Sequence, residues 1–188
     1  MENTTPVTKF VPPRWVPSRE SKYMGEAWFK ASFSKDPSTQ VGAVIIGKDN
    51  MPLGSGYNGP PNLIGDNDFS WERPSRDNPD AFSKYDVVVH AEINAIDHSN
   101  TNDFEGATLY VTALPCPDCM LEIIRKKIFR VVYFDFQSSQ NSSLQNASWR
   151  EKSFRLAKMG RVNLEKFSGD LGWMLDWNKK LQGLGVFG

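Results

Sequence analysis

Two spacings of hydrophobic residues alternate along the chain, and together they predict an α/β fold. Residues 18–34 carry apolar side chains at helical spacing, with Tyr23, Ala27 and Ala31 on one stripe. Two runs of strand character follow, VGAVIIG and MPLGSGYNG, and they flank the turn KDN as the arms of a β-hairpin do. The chain therefore begins with a predicted helix and a predicted hairpin.

The second half of the chain alternates more regularly. Helical spacing predicts helices near residues 89–99, 117–127 and 147–158. Strands are predicted at ATLYVTA, RVVYFDF and RVNLEKF. This alternation is typical of a sheet that has helices packed against its faces.

Residues 59–86 separate the two halves and are rich in Pro, Asn and Asp. A loop of this length is uncommon in a compact domain unless it has a function. Its polar composition also offers little apolar surface for ordering. We therefore expect this segment to gain order from a ligand or from a neighbouring subunit.

Length and charge limit the classes of protein to consider. The 188 residues are enough for one domain over 18–188, preceded by a Pro-rich extended arm over 1–17. Lys and Arg number 22, as do Asp and Glu, so no broad basic surface for nucleic acid is expected. Apolar runs are far shorter than the roughly 20 residues of a membrane span, and MENTTPVTKF lacks a signal-peptide core. We expect a cytoplasmic protein without membrane or nucleic-acid partners.

Both cysteines of the chain, Cys116 and Cys119, lie in the sequence LPCPDCM. A disulfide within one helical turn would restrain the unfolded chain little, and a lone C-x-x-C is also compatible with a chance pair of buried thiols. Pro117 suits the first helical position, which leaves Cys116 as the N-cap and both sulfurs on one side. The helix dipole there lowers thiol pKa values and favours the thiolates that bind metals.

A second predicted helix N-terminus carries HAEINA, residues 90–95. In a first turn, His90 and Glu92 can both reach the open end of the helix. One imidazole and two thiolates form a ligand set that favours zinc, and three protein ligands leave a position open for catalysis. His98, the other histidine, lies roughly 12 Å further along the helix axis, which is too far for the same metal.

Glu92 has two interpretations. Alone, it is typical of a first-turn acid that complements the helix dipole. Beside a zinc, which lowers the pKa of water towards 7, a carboxylate can move the water proton to a leaving amine. HAE followed by PCPDC matches the H-x-E and P-C-x-x-C signature of zinc-dependent nucleobase deaminases. The combined motif predicts hydrolytic deamination with Glu92 as the catalytic residue.

Beyond this motif, the sequence resembles the deoxycytidylate (dCMP) deaminases of the cytidine deaminase-like superfamily. The stretches SKDPSTQVGAVI, GSGYNGPP, HAEINAI and GATLYVTALPCPDC are similar to successive blocks of that family, over about residues 18–167. The resemblance implies a three-layer α/β/α sandwich with a central five-stranded mixed sheet. It also implies conversion of dCMP to dUMP and ammonia, which supplies dUMP for thymidylate synthesis.

The resemblance further implies roles for individual residues. The predicted imidazole and thiolates would hold Zn²⁺, Glu92 would carry protons, and Asn58 and Ala91 would contact substrate. From the residues alone, Asn58 is equally typical of an Asn-Gly turn. Ser34 and Lys35, in SKDP at the end of the first helix, are the predicted contacts of the substrate phosphate.

The sequence departs from the family pattern at two places. Some relatives hold a second, structural zinc through Cys or His residues before the HAE motif, but residues 59–89 contain neither. We therefore predict one zinc per chain. Many relatives place a tyrosine on the pyrimidine after the strand that follows the C-x-x-C helix; the sequence here reads YFDFQSSQN, and Phe136 is the predicted substitute.

Family members are commonly hexamers, activated by dCTP and inhibited by dTTP. The resemblance therefore implies a triphosphate effector, with Mg²⁺ on its phosphates, between residues 59–86 and the GYNG turn. Tyr57, Gly59 and Pro60 are the predicted effector contacts. Since Asn58 belongs to the same turn, the effector would influence the catalytic side through a short stretch of backbone.

Three alternative functions share part of this pattern. A tRNA adenosine deaminase or other nucleic-acid deaminase has the same metal motif, but zero net charge argues against a polymeric substrate. A free-nucleoside cytidine deaminase differs in not needing the 5′-phosphate. A non-catalytic zinc module would have four metal ligands and no use for Glu92.

Overall fold

A computed structural model describes residues 16–135 and 144–183 of the chain. Most of the predicted arm over 1–17, and Phe136, lie outside these residues. The elements in chain order are α1 (Arg19–Ala31), β1 (Gly42–Ile46), β2 (Pro52–Tyr57), α2 (Lys84–Val87), α3 (Ala91–Asp97), β3 (Thr108–Val111), α4 (Pro117–Arg125), β4 (Arg130–Tyr133), α5 (Leu144–Met159), β5 (Asn163–Lys166) and α6 (Gly172–Gly183).

The strands form one five-stranded sheet in the order β2-β1-β3-β4-β5. The strand β1 pairs antiparallel with both β2 and β3, whereas β3, β4 and β5 run parallel. Parallel neighbours need a crossover, and α4 and α5 provide the two crossovers. The predicted five-stranded mixed sheet is confirmed.

Both faces of the sheet are covered, as the full burial of β1 requires. Alternate residues of the strands point to opposite faces, and they enter two separate hydrophobic clusters. On one face, Val44, Ile46, Tyr110 and Val132 pack with Tyr23, Met24 and Ala27 of α1. On the other face, Ile45, Leu109, Val111 and Val131 pack with residues of α3 and α4, including Ala95, Met120 and Ile123. The predicted three-layer α/β/α sandwich is confirmed.

The structure contains two helices that the hydrophobic pattern does not predict. The helix α2 spans Lys84–Val87 and begins with a capping box in which Ser83 and Asp86 satisfy each other's backbone donors. It is too short for a helical period to be recognised. The helix α6 contains no buried residue, so its sequence carries no strong apolar stripe.

Residues 59–86 have contacts of their own and contacts with the rest of the domain. Within the segment, Phe69 is buried and its ring centroid lies 4.7 Å from that of Trp71. Lys84 forms a buried ion pair with Asp36, at Nζ to Oδ1 and Oδ2 distances of 2.8 and 2.9 Å. This ion pair therefore anchors the segment to the domain, which its few apolar side chains cannot do by burial alone.

A glycine in β2 allows α3 to lie close against the sheet. A Cβ atom at Gly56 would lie 2.4 Å from the backbone nitrogen of Ala95 and 2.7 Å from the carbonyl oxygen of Ala91. Both atoms belong to α3, so neither can move without shifting the helix. Glycine at this position therefore sets the depth of the helix that carries Glu92.

We predict that Gly56→Ala lowers the free energy of unfolding by about 1–3 kcal/mol, because overpacking displaces α3 from β2. Urea titration followed by circular dichroism measures the change. Gly183→Ala is the matched control, since a Cβ atom there meets nothing within 4 Å. Equal stability of Gly56→Ala and the unsubstituted protein would contradict the close contact between β2 and α3.

Candidate active site

The N-termini of α3 and α4 meet at one end of the sheet and bring three metal-binding side chains together. His90 Nδ1 lies 3.3 Å from Cys119 Sγ and 3.4 Å from Cys116 Sγ. The ligand atoms of the three residues all lie within 4.8 Å of one another. Among the described residues, this is the single group of at least three His, Cys, Asp or Glu side chains able to hold a metal ion.

Local backbone geometry explains how the ligands are presented. His90 is the N-cap of α3 and Cys116 is the N-cap of α4, both with extended backbone angles. Pro117 occupies the start of α4, and Cys116 Sγ accepts a hydrogen bond from the backbone nitrogen of Cys119 at 3.5 Å. The prediction that both sequence pairs lie at helix N-termini is confirmed.

The three side chains strongly perturb one another's pKa values. A hydrogen bond from Cys119 lowers the pKa of the Cys116 thiol to about 4, and a hydrogen bond to Cys116 raises the pKa of His90 to about 9. The pKa of Cys119 is raised, first because its thiol donates to Cys116 and second because it is buried. A metal ion would replace the protons shared within this group.

The donor set is suited to zinc. One imidazole and two sulfur atoms lie close enough to share one ion, and zinc prefers these ligand types in tetrahedral geometry. Cys119 is buried and Cys116 is half-buried, whereas His90 is exposed, so the group is accessible from one side. A catalytic zinc requires this access, because three protein ligands leave one coordination position for another molecule.

Glu92 lies in the first turn of α3, two residues after His90, and it is not a member of the metal-binding group. Its side chain is only 4% exposed. Burial raises the pKa of this carboxyl, while the positive charge of His90 opposes the shift. A buried carboxyl with a raised pKa is suited to accepting and returning a proton near neutral pH.

The candidate site opens into a cavity of about 480 Å³, within the range of small-molecule pockets. We call it the catalytic cavity. Its wall includes His90, Cys116 and Glu92. The other lining residues are Asp36, Thr39, Val41, Asn58, Arg73, Lys84, Tyr85, Val88, Ala91, Ala113, Leu114, Pro117 and Trp149. The structure therefore brings the predicted Asn58 and Ala91 into the same cavity as the metal-binding group.

Asn58 also holds the backbone around it. Its Oδ1 accepts a hydrogen bond from the backbone nitrogen of Val41 at 2.8 Å, and its Nδ2 donates to the carbonyl oxygen of Thr39 at 3.0 Å. An asparagine amide has two N–H donors and two acceptor lone pairs. One donor and one lone pair therefore remain for a molecule in the catalytic cavity.

Ser34 and Lys35 do not line the catalytic cavity but line a neighbouring cavity that adjoins it, since Asp36, Thr39, Val41 and Ala113 line both. Ser34 is buried, and its hydroxyl donates to the carbonyl oxygen of Asn58 at 2.8 Å. Lys35 is exposed and forms an ion pair with Asp66. Ser34 thus supports the Asn58 backbone, and the predicted phosphate contacts of both residues stay predictions.

The predicted effector residues lie beside the catalytic cavity and do not line it. Gly59 forms two backbone hydrogen bonds with Val89, at 3.1 and 3.0 Å, and Val89 directly precedes His90. The Asn94 amide on α3 donates to the carbonyl oxygen of Tyr57 at 2.8 Å. Pro60 follows Gly59 in the turn. The turn is therefore connected through backbone contacts to the helix that carries the candidate site.

Sequence reasoning missed several residues of the catalytic cavity, notably Arg73, Lys84, Tyr85 and Trp149. The first three belong to or follow the polar segment, where no period identifies inward-facing positions. Arg73 and Lys84 are cations of the long segment before the HAE motif, and this charge is the one signal in the sequence that could have drawn attention to them.

The fold and the metal-binding group define the class of cytidine deaminase-like proteins. Residues 17–135 match the family described as the cytidine and deoxycytidylate deaminase zinc-binding region. Because this match covers more than half of the chain, the chain belongs to that family.

Relatives and solved structures agree with this assignment. The chain is similar to deoxycytidylate deaminase of Mus musculus, with 41% identity over 78% of each chain. It is also 40% identical to deoxycytidylate deaminase of Homo sapiens over 59% of this chain. That match covers only 61% of the human protein. The dCMP deaminase of cyanophage S-TIM5, solved with dCMP and dUMP, gives a TM-score of 0.60 at 25% identity, covering 79% of this chain and 96% of the phage chain.

We predict one zinc ion per chain, and its loss in Cys119→Ser because a buried ligand of the group is removed. Elemental analysis of the purified proteins measures this. His98→Ala is the control and should keep its zinc, since His98 is exposed at the far end of α3. Two zinc ions per chain, or zinc retained in Cys119→Ser, would contradict the three-ligand site.

Proposed function

We propose that this chain is a zinc-dependent enzyme that converts dCMP and water to dUMP and ammonia, and so supplies dUMP for thymidylate synthesis. The observation that carries the proposal is the position of the buried Glu92 beside the His90, Cys116 and Cys119 group in one cavity. Membership of the deaminase family supports the reaction type. The phage relative solved with dCMP and dUMP supports a nucleotide substrate.

His90, Cys116 and Cys119 would hold the zinc, which supplies a Lewis acid that lowers the pKa of water towards 7. Glu92 accepts a proton from the attacking water and returns it to the amine nitrogen on C4 of the cytosine. The new bond joins the water oxygen to C4, and cleavage of the bond between C4 and the amine nitrogen releases ammonia. The second proton of the water goes to N3, which gives the uracil ring. Burial of Glu92 supports this role, because it raises the pKa of the carboxyl and so makes the carboxylate a better proton acceptor.

The remaining site residues would position the base and sugar. Asn58 has one N–H and one lone pair available for hydrogen bonds to the substrate. Ala91 is fully buried at the start of α3, and its small side chain leaves room for a planar ring. Phe136 is proposed to pack on the pyrimidine, following the family resemblance. Ser34 and Lys35 remain the phosphate contacts proposed from the sequence.

A purely structural zinc module is disfavoured by the composition of the site. Such a module has four protein ligands and excludes solvent from its metal. Within residues 16–135 and 144–183, the group contains three ligands and opens into a cavity beside a buried acid.

We also propose regulation by deoxynucleoside triphosphates, with dCTP as activator and dTTP as inhibitor, each bound with Mg²⁺ near Tyr57, Gly59 and Pro60 in a hexamer. The support lies in the backbone contacts of the turn. Because Gly59 pairs with Val89, a displacement of the turn would reach the residue before His90. Light scattering measures the molar mass of the protein in solution. The mass of a monomer would contradict the proposed hexamer.

We predict that Glu92→Gln keeps one zinc per chain and lowers dCMP deamination by about 10²–10⁴-fold, because an amide cannot carry the proton. Absorbance loss in the ultraviolet measures turnover, with dCMP, dCTP, deoxycytidine and cytidine compared. Asp97→Asn, an exposed acid on the same helix, is the control and should retain full activity. Near-normal turnover in Glu92→Gln would exclude the proposed proton transfer.

Regulation predicts a sigmoidal dependence of rate on dCMP concentration that becomes hyperbolic with dCTP and is depressed by dTTP. Coupling between sites is typically about 5- to 150-fold in affinity. Steady-state rates with each triphosphate and Mg²⁺ test this, with ATP as the control for ionic strength and chelation. Superimposed hyperbolic curves under all conditions would show an enzyme without this regulation.

A further inference from the structure

The catalytic cavity has two cationic side chains besides the imidazole of the metal-binding group, counted over the described residues: Arg73 and Lys84. The positive charge of Lys84 is already compensated by a carboxylate. Its ammonium contacts both carboxylate oxygens of Asp36, at 2.8 and 2.9 Å, and both side chains are buried. Such a pair is costly to separate, because each charge would be left unpaired in a poorly solvated position.

The charge of Arg73, unlike that of Lys84, is not compensated by a carboxylate of the described residues. Its side chain is exposed, and within the part of the chain that the structure describes it forms no ion pair with a carboxylate. Its guanidinium carbon lies over the ring of Tyr85, 5.5 Å from the centroid. A cation–π contact of this kind restrains the guanidinium while leaving its N–H groups available as donors.

The charges around the cavity show what Arg73 can bind. The Asp36 and Lys84 charges cancel, and Glu92 is a proton carrier at the metal-binding end. A nucleoside monophosphate brings a phosphate that carries about two negative charges near neutral pH. Arginine presents a planar set of donors that matches phosphate oxygens in pairs. Arg73 is therefore the cavity cation with both an uncompensated charge and the required geometry.

We propose that Arg73, held by Tyr85, binds the 5′-phosphate of the substrate and makes the enzyme select the nucleotide over the nucleoside. This inference rests on the proposed deamination of dCMP and adds a specificity-determining residue to it. It differs from the sequence-based assignment, since Lys35 lies along the neighbouring cavity and is paired with Asp66. If Arg73 binds the phosphate, a substitution of Arg73 should reduce the preference for nucleotide over nucleoside. If Lys35 binds it, a substitution of Lys35 should do so instead.

The test compares kcat/KM for dCMP and for deoxycytidine in the unsubstituted protein and in Arg73→Gln. We expect the ratio of the two values to fall by about 10- to 100-fold in Arg73→Gln, as expected when charge-assisted hydrogen bonds are lost. Arg73→Lys keeps the charge without the paired donors and should give an intermediate ratio. Arg76→Gln is the matched control, because Arg76 belongs to the same segment and does not line the catalytic cavity. Lys35→Gln tests the rival assignment.

Binding of the product provides a readout that does not depend on turnover. Calorimetry should show dUMP binding weakened by about 10- to 100-fold in Arg73→Gln, with deoxyuridine binding changed far less. Zinc content and melting temperature establish that each variant is folded.

The outcomes separate this inference from the proposed function. Failure of the unsubstituted, zinc-loaded protein to deaminate dCMP would contradict the proposed function itself. An unchanged ratio and unchanged dUMP binding in Arg73→Gln, an equal loss for dCMP and deoxycytidine, or loss of discrimination in Lys35→Gln alone would each overturn the Arg73 assignment while leaving the reaction in place.

Discussion

The meeting of two helix N-termini at one end of the sheet is the constraint on which the candidate site depends. His90 and Cys116 are both N-caps, and their extended backbones direct an imidazole and two sulfur atoms to a common point. This meeting depends on the sheet beneath it. The hydrogen bonds between Gly42 and Thr112 extend the pairing of β1 and β3 to the segment that leads into α4. The close packing of Gly56 in β2 against α3 fixes the position of the helix that follows His90.

A buried ion pair gives the polar segment its connection to this site. Asp36 Oδ1 accepts hydrogen bonds from the backbone nitrogens of Ser38 and Thr39 in addition to its contact with Lys84. Thr39 in turn accepts a hydrogen bond from Asn58. One carboxylate therefore links the loop before β1, the turn after β2 and the residues that precede the HAE motif. Because buried charges are costly without partners, this arrangement favours a single position for all three.

Sequence reasoning was most successful where chemistry is concentrated in local motifs. HAE and PCPDC predicted the ligand group and its position at two helix N-termini, because N-cap geometry depends on neighbouring residues alone. The β-branched runs and their alternation with helices predicted the strands and the α/β class, whereas the five-stranded mixed sheet was predicted from the family resemblance, because strand pairing joins residues far apart in sequence. α6 escaped prediction because burial is the source of helical periodicity and none of its residues is buried.

The rest of the cavity could not be predicted from local patterns. Lys84 and Asp36 are 48 positions apart, and no local rule pairs them. Arg73 belongs to a segment without hydrophobic period, so the sequence does not indicate which of its polar side chains faces the cavity. Family resemblance placed Asn58 and Ala91 in the site, and both line the catalytic cavity. Lys35 was predicted because SKDP ends the first helix near the sheet edge that carries Asn58, and the fold places Lys35 along the neighbouring cavity.

We propose that one zinc ion, held by His90, Cys116 and Cys119, makes this cavity a deaminating site for dCMP. This proposal can be tested by removing zinc with a chelator and returning it stepwise to the same protein, with dCMP turnover recorded at each step. We expect turnover to disappear with the metal and to return in proportion to added zinc, up to one ion per chain. Turnover that persists without zinc, or that stays absent at one zinc per chain, would contradict it.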